Sequence, residues 1–347
     1  LRQPLTTREA AYDTIEEMLA KLDDPFTRLL RPDNYRNLQV NTAGELTGVG
    51  LQIAIDPESK RIKVIAPIAS SPADAAGIQP GDLVLEIDGV STENLSLDEA
   101  ATRMRGTVGT AVTLQIQRFD EDRVEDIEII RDRIALNPVS YNLTQAEDST
   151  PIGYIRLTQF SANASEEMTQ AISDLEDQGA AAYILDLRNN PGGLLQAGVE
   201  IARLWLNDAT IVYTVNRQAV LGSFDAGYDA LTDAPLVVLV NQGTASASEI
   251  LAGALQDNRR AQLVGERTFG KGLIQSLFDL SDDSGIAVTV AKYETPSHKD
   301  INKLGITPDF VVPQNPIRRD EVGTAADLPY QKAIELLTDG AVVAKAT

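Results

Sequence analysis

The chain has 347 residues, 43% of them hydrophobic and 23% charged, and 30 basic against 51 acidic residues leave a formal charge of −21. That balance supports a sizeable core spread over two or three domains and argues against a disordered chain, while the negative field argues against nucleic acid or anionic membrane as a partner. There is no cysteine and only one histidine, His298, so thiol catalysis, disulfides and thiolate metal sites are excluded and no zinc site is expected.

The first residue is Leu1 rather than Met, which reads as a mature or trimmed form, with any targeting peptide missing from view. No apolar run approaches the roughly 18 residues of a membrane span. TTRE at 6–9 reads as a capping box of Thr6 and Glu9. Tyr12, Ile15, Met18, Leu19 and Leu22 follow at helical spacing, and a second helix is expected near Pro32. From Leu46 to about Arg133 short β-rich runs (GVGLQIAI, RIKVIAPI, DLVLEIDG, AVTLQIQRF, EDIEII) alternate with turns, and LDEAATRMRG reads as one helix among them. RFDEDRVED is expected to be a solvated hairpin turn. From Ile152 the texture becomes strand–helix–strand: GYIRLTQF, SEEMTQAISDLEDQG, AAYILDL, LLQAGVEIARLWL, PLVVLVN and EILAGALQD alternate in type. This predicts βαβ units around a partly parallel sheet. LIQSLFDL and IAVTVAKY then read as a hairpin, and YQKAIELL as a helix packed near the surface. The fold class expected is mixed α/β and multidomain: a helical region 1–45, a β domain 46–135 and an α/β core 136–347.

GTASASEI at 243–250 puts two serines in the turn between PLVVLVN and EILAGAL. Helix-start amides there favour developing negative charge. A serine hydroxyl needs a base, and His298 lies 52 residues from Ser246 in a polar loop. Lys271, between Gly270 and Gly272, is the second candidate. Burial without a counter-ion disfavours a charged lysine, and a neutral amine can take a proton. Gln275 has the same strand parity as Lys271, so its amide could orient that amine. The residues leave a lysine base and a His298-dependent triad both open. GERTFGKG has phosphate-loop spacing, but Gly272 stands where Ser or Thr should follow the lysine, and LIQSLFDL alternates like a strand.

GTASASEILAGALQDNRRA followed by VGERTFGKGLIQS resembles the C-terminal processing, or tail-specific, peptidases, which are serine proteases with a Ser-Lys dyad often written Ser-Lys-Gln. DDPFTRLL at 23–30, GVGLQI at 48–53, SSPADAAGIQPGDLVLEIDG at 70–89, LDLRNNPGG at 185–193 and GITPDFVV at 305–312 resemble further segments of that family in its order. The resemblance implies Ser246 as nucleophile ahead of Ser248, Lys271 as base and Gln275 as its partner. It also implies an oxyanion hole from the N–H groups of Ala247 and Gly192. The β domain resembles a PDZ domain. Gly48, Val49 and Gly50 would lead into a peptide-binding edge of Leu51, Gln52 and Ile53, and loop N–H groups would hold a terminal carboxylate. Arg105 matches an arginine that in the family links this domain to the active site; a surface salt bridge is the other reading. No metal, nucleotide or other cofactor is implied. The expected partners are protein substrates held by their C-terminal tails, and a monomer is favoured. The acidic balance, the absence of cysteine and TPSHKDINKLGITPDFVV look most like the cyanobacterial and chloroplast branch, which matures the photosystem II reaction-centre precursor in the thylakoid lumen or periplasm. The competing classes are a silent peptide-binding adaptor and a His-dependent serine hydrolase.

Overall fold

The computed structural model describes residues 7–313, apart from 58, 94, 120–122, 147 and 217, and residues 321–339. The chain forms two compact units, one of Glu45–Leu136 and one of Leu1–Gly44 with Asn137–Thr347.

The larger unit is organised by a six-stranded sheet in the order Val139–Gln145, Pro151–Leu157, Ala182–Asp186, Leu236–Val240, Gln262–Gly265 and Phe310–Val311. Its first pair is antiparallel and the rest are parallel. The two central strands, AYILD and LVVLV, are buried at every position. Their apolar residues run continuously because both faces of the sheet are covered. The helices Ala164–Asp177, Leu195–Arg203 and Ala247–Asp257 contribute Met168, Ile172, Val199, Ile201, Leu251 and Leu255 to the core on one face. The helix Leu328–Thr338 covers the other with Tyr330, Ala333, Leu336 and Leu337. It is seated by a buried ion pair, with Arg188 donating to both oxygens of Asp327 at 2.7 and 2.8 Å.

A second sheet in this unit runs Arg28–Leu30, Gly285–Glu294, Ala209–Val215, Val220–Ala226, and Leu273–Asp279 also pairs with Gly285–Glu294. The three-residue strand RLL has no periodicity of its own and exists because Arg28, Leu29 and Leu30 pair with Ala287, Ile286 and Gly285. The helices Arg8–Ala20 and Pro32–Ala43 flank it. Tyr12 donates to Asp282 at 2.7 Å and Tyr35 to Asp279, which ties both helices to the Leu273–Glu294 hairpin. Thr6 lies outside the described residues. The cap seen on the first helix is Thr7, which accepts from the N–H of Ala10 at 3.1 Å, while Glu9 turns to Arg31 at 2.7 Å.

The smaller unit has its own core. Five antiparallel strands run in the order Leu51–Ile55, Ile62–Pro67, Leu83–Ile87, Ala111–Gln117 and Val124–Ile130, with Val90–Ser91 beside Leu83–Ile87. Val112, Leu114 and Ile116 alternate inward onto Val84, Ile87 and Ala100, as a half-buried sheet requires. The helix Leu97–Met104 starts on a capping box of Ser96 and Glu99. A two-stranded ribbon of Glu45–Gly48 and Asp132–Ala135 completes the unit. Residues 120–122 of the expected RFDEDRVED turn lie outside the described residues.

Candidate active site

Ser246 sits where the strand Leu236–Val240 turns into the helix Ala247–Asp257, with φ 57° and ψ −119°. An L residue held there costs about 1–3 kcal/mol and persists only where its surroundings over-determine it. A second turn does this. Ala245 N–H and Ser248 Oγ both donate to Asn190 O at 3.0 Å, and Thr244 Oγ1 donates to Leu187 O at 2.9 Å. Asn189 and Asn241 exchange bonds at 2.9 and 3.0 Å. Asn190, fully buried, donates to Leu157 O at 2.9 Å and accepts from Gly192 N–H at 2.9 Å.

These bonds separate the two serines. Ser248 is fully buried and its hydroxyl is committed to Asn190. Ser246 lines a cavity of about 370 Å³ together with Gly192, Gly193, Ala247, Lys271 and Gln275. Among the described residues no hydrogen bond joins its hydroxyl to the Lys271 amine; the hydroxyl caps the helix it opens, facing the Glu249 N–H. Gly192 packs against the elbow, where a Cβ would lie 2.6 Å from Ala245 O and 2.9 Å from Ala247 N. Its N–H is already held by Asn190. The N–H groups of Gly193 and Ala247 have no acceptor among the described residues, and both residues line the cavity.

The base candidate comes from the segment after the strand Gln262–Gly265. Burial holds the Lys271 amine below its ordinary pKa, the positive charge of Arg28 adds to that, and Glu249 opposes it. The amine lies 5.2 Å from the centroid of the Phe26 ring. Gln275 lines the same cavity, but its amide donates to Phe26 O. It therefore meets Lys271 through Phe26, in a strand that begins only at Leu273. The segment opens a strand, so the phosphate-loop spacing has no helix N-terminus behind it. His298 stands outside this cavity, exposed, stacked on Tyr213 at 4.2 Å and 3.0 Å from Glu294.

Sequence reasoning missed the two groups that join the serine turn to the lysine segment. Fully buried Glu249 accepts from Ser246 N–H at 3.0 Å, Gly270 N–H at 2.7 Å, Lys271 N–H at 2.8 Å and Thr268 Oγ1 at 2.5 Å. Burial pushes this carboxyl up, against the pull of those four donors. Its place three residues after Ser246 is capping-box spacing, a signal present in the sequence. Tyr293 adds a second link by donating to Ser246 O, at 3.1 Å, and to Lys271 O. Nothing local in AVTVAKYET marks that tyrosine.

In the smaller unit Leu51–Ile55 is an edge strand, paired only with Ile62–Pro67 among the described residues. Leu51 and Ile53 pack on the core and Gln52 points outward. Val49 O accepts from Ala73 N–H, and Gly50 O from Ile68 N–H, both at 2.8 Å, which fixes the preceding loop. Gly50 has φ 82°, and a Cβ there would fall 2.3 Å from Ser71 Cβ. Gly48 lies against Arg105, whose Cα is 3.3 Å from the position of a Cβ on Gly48.

A serine on a strained strand-to-helix elbow, with a lysine on the same cavity and histidine elsewhere, is the frame of a serine hydrolase. Residues 151–312 match peptidase family S41 and residues 37–117 match the PDZ domain. A carboxyl-terminal-processing protease of Synechocystis sp. is 62% identical over 344 residues, covering 99% of this chain and 81% of that one. Chloroplastic carboxyl-terminal-processing peptidase 2 of Arabidopsis thaliana is 47% identical, over 90% of this chain and 62% of its own. The solved photosystem II D1 C-terminal processing protease is 40% identical, with a TM-score of 0.56 over 90% of this chain and 84% of that one. The chain belongs to peptidase family S41, among the carboxyl-terminal-processing serine proteases. Among the described residues no helix is long and apolar enough to cross a membrane.

Proposed function

We propose that Ser246 is the nucleophile and Lys271 the general base of this protease, and that it removes a C-terminal extension from the photosystem II D1 precursor in a thylakoid lumen or periplasm. The observation that carries the catalytic reading is Ser246 itself, strained at φ 57° with its hydroxyl on the cavity that Lys271 lines. The substrate and the compartment rest on the relatives. Ser246 Oγ attacks the scissile carbonyl while Lys271 Nζ takes its proton. Lys271 returns that proton to the leaving amine, and water then releases the acyl group. The N–H groups of Ala247 and Gly193 face the oxyanion, Gly193 taking the place expected of Gly192, whose N–H is held by Asn190. Gln275 orients the amine through Phe26. The edge Leu51, Gln52 and Ile53 takes the substrate tail as an added strand, with the N–H groups of the Gly48–Val49–Gly50 loop at its carboxylate, and Arg105 is regulatory.

The test is hydrolysis of a peptide carrying the precursor's C-terminus. Ser246→Ala and Lys271→Ala, each checked for folding by circular dichroism, should be inactive, and His298→Ala should cleave like wild type. Lys271→Arg should also be inactive, because guanidinium keeps its proton. Activity should rise with pH as the Lys271 ammonium deprotonates. A folded Lys271→Ala that still cleaves would remove the lysine from the mechanism. Failure on the D1 tail with cleavage of other tails would remove only the substrate assignment.

A further inference from the structure

Arg28 stands in the wall of the same cavity as Ser246 and Lys271. Its position is built rather than incidental. Arg28 pairs with Ala287, which on its other side pairs with Leu277, so the residue is set in the sheet that carries the Lys271 segment. The approach to it is fixed by an Asp24 turn: Thr27 Oγ1 donates to Asp24 at 2.7 Å and Phe26 N–H at 3.0 Å. Thr289 N–H then donates to Thr27 Oγ1 at 3.1 Å, and Gln275 donates to Phe26 O. Among the described residues Arg28 has no carboxylate partner, in a protein with 51 acidic residues. Arg28 is exposed, so its charge is solvated and faces the cavity without a carboxylate of its own.

The groups around the Lys271 amine divide by sign. The Glu249 carboxylate and the Phe26 ring favour an ammonium. Tyr293, wholly buried, holds a neutral phenol whose proton is used on the Ser246 and Lys271 carbonyls. Burial and Arg28 favour the neutral amine. Lys271, Arg28 and Tyr293 are the ionisable residues lining the cavity. Among the described residues Arg28 is thus the charged group set against the ammonium, and it comes from the N-terminal segment rather than from the elbow or the lysine segment.

We propose that Arg28 is a positioning residue that sets the working pH range of the enzyme, by placing a permanent positive charge on the cavity of the general base. This rests on the assignment of Lys271 as that base. An arginine suits the task because it stays charged throughout the range in which lysine titrates. The cavity is open to solvent, so the coupling is that of a partly screened pair and not of a buried one.

The experiment is the pH profile of kcat/KM for Arg28→Gln, Arg28→Glu and Arg28→Lys on one tail peptide. Arg28→Gln should move the acidic limb to higher pH. At a pH on the wild-type limb this reads as a loss of about three- to tenfold, which shrinks as the pH rises. Arg28→Glu should move the limb further, and Arg28→Lys should return it to the wild-type position. A limb that stays in place in Arg28→Gln, with Lys271→Ala inactive, overturns the role of Arg28 and leaves the base assignment intact. A rise in KM alone at every pH overturns it too, because that is the signature of a substrate contact. An active Lys271→Ala instead defeats the base assignment, which separates the two failures.

Discussion

Glu249→Gln is the sharpest perturbation of this site, because it alters one atom and no volume. Oε1 of Glu249 receives the Thr268 hydroxyl and the Gly270 N–H, and Oε2 receives the N–H groups of Ser246 and Lys271. A glutamine has one oxygen, so whichever way the amide turns, two of these donors meet an NH2. The cheaper orientation faces the NH2 toward Thr268, whose oxygen can accept although it already takes Ile306 N–H at 2.7 Å. That still leaves the Gly270 N–H buried and unpaired, at a cost of about 1–3 kcal/mol. The other donors lose a charged acceptor, so we expect about 2–4 kcal/mol in all, within the roughly 5–15 kcal/mol of a folded protein. The catalytic loss should be larger in proportion, because Gly270 and Lys271 are the segment displaced. A misplacement of about 1 Å can cost roughly a hundredfold in rate. The assays are the urea midpoint and kcat on a tail peptide. Wild-type kcat in Glu249→Gln, whatever the midpoint, would refute the view that this carboxylate holds nucleophile and base in register.

Gly192→Ala places a Cβ 2.6 Å from Ala245 O and 2.8 Å from Ser246 Cβ, at φ 96°; kcat should fall by about two orders of magnitude while KM changes little, read from steady-state kinetics. Asp327→Ala removes one of the two carboxylates that hold buried Arg188, which keeps Asp186 at 2.7 Å, so the urea midpoint should report a loss of about 1.5–3 kcal/mol, that of charge-assisted bonds. The Asp327 carboxyl is held below its ordinary range: burial works against this, and the bonds from Arg188 and the Gly323 and Tyr330 N–H groups outweigh it. A depressed folded pKa means that its stabilisation is complete above about pH 4 and is lost as the pH falls further, which an acid titration of wild type against Asp327→Ala should show. Amidating the C-terminus of a peptide substrate removes a charged acceptor, and charge-assisted bonds are roughly twice as strong as neutral ones; kcat/KM should therefore fall, and equal values for free and amidated peptides would show that the terminus is not read.

What was legible in the sequence follows the range of the interactions involved. LVVLV and AYILD read as buried strands because a sheet covered on both faces needs uninterrupted apolar side chains, a requirement of the strand itself. GTASASEI and LDLRNNPGG read as strand-to-helix turns for the same local reason. The Ala209–Val215 and Val220–Ala226 hairpin went unread, because ATIVYTV and VLGSFDA are joined by NRQA, without the Gly or Pro that marks a tight turn. RLL was illegible as a strand, since three residues carry no period and their strand character comes from Gly285–Ala287. Gln275 shows the limit of parity arguments. It reaches the cavity, yet the strand starts two residues after Lys271 and its register shifts at Ile274, so the amide bonds Phe26 O.

The parts of the site that stayed hidden share one physical cause. Strain at Ser246 has to be offset by bonds to other segments, and a segment that supplies such bonds needs only one suitable residue in an otherwise ordinary stretch. Asn190, Glu249 and Tyr293 each do this from a different element. Phe26 and Arg28 reach Lys271 with opposite effects, the ring favouring the ammonium and the guanidinium disfavouring it, from a segment whose register is set by Asp24 and Ala287 rather than by its own pattern. The serine turn and the lysine segment are therefore visible in the sequence as candidates, while the groups that surround them are recognisable only once the chain has closed.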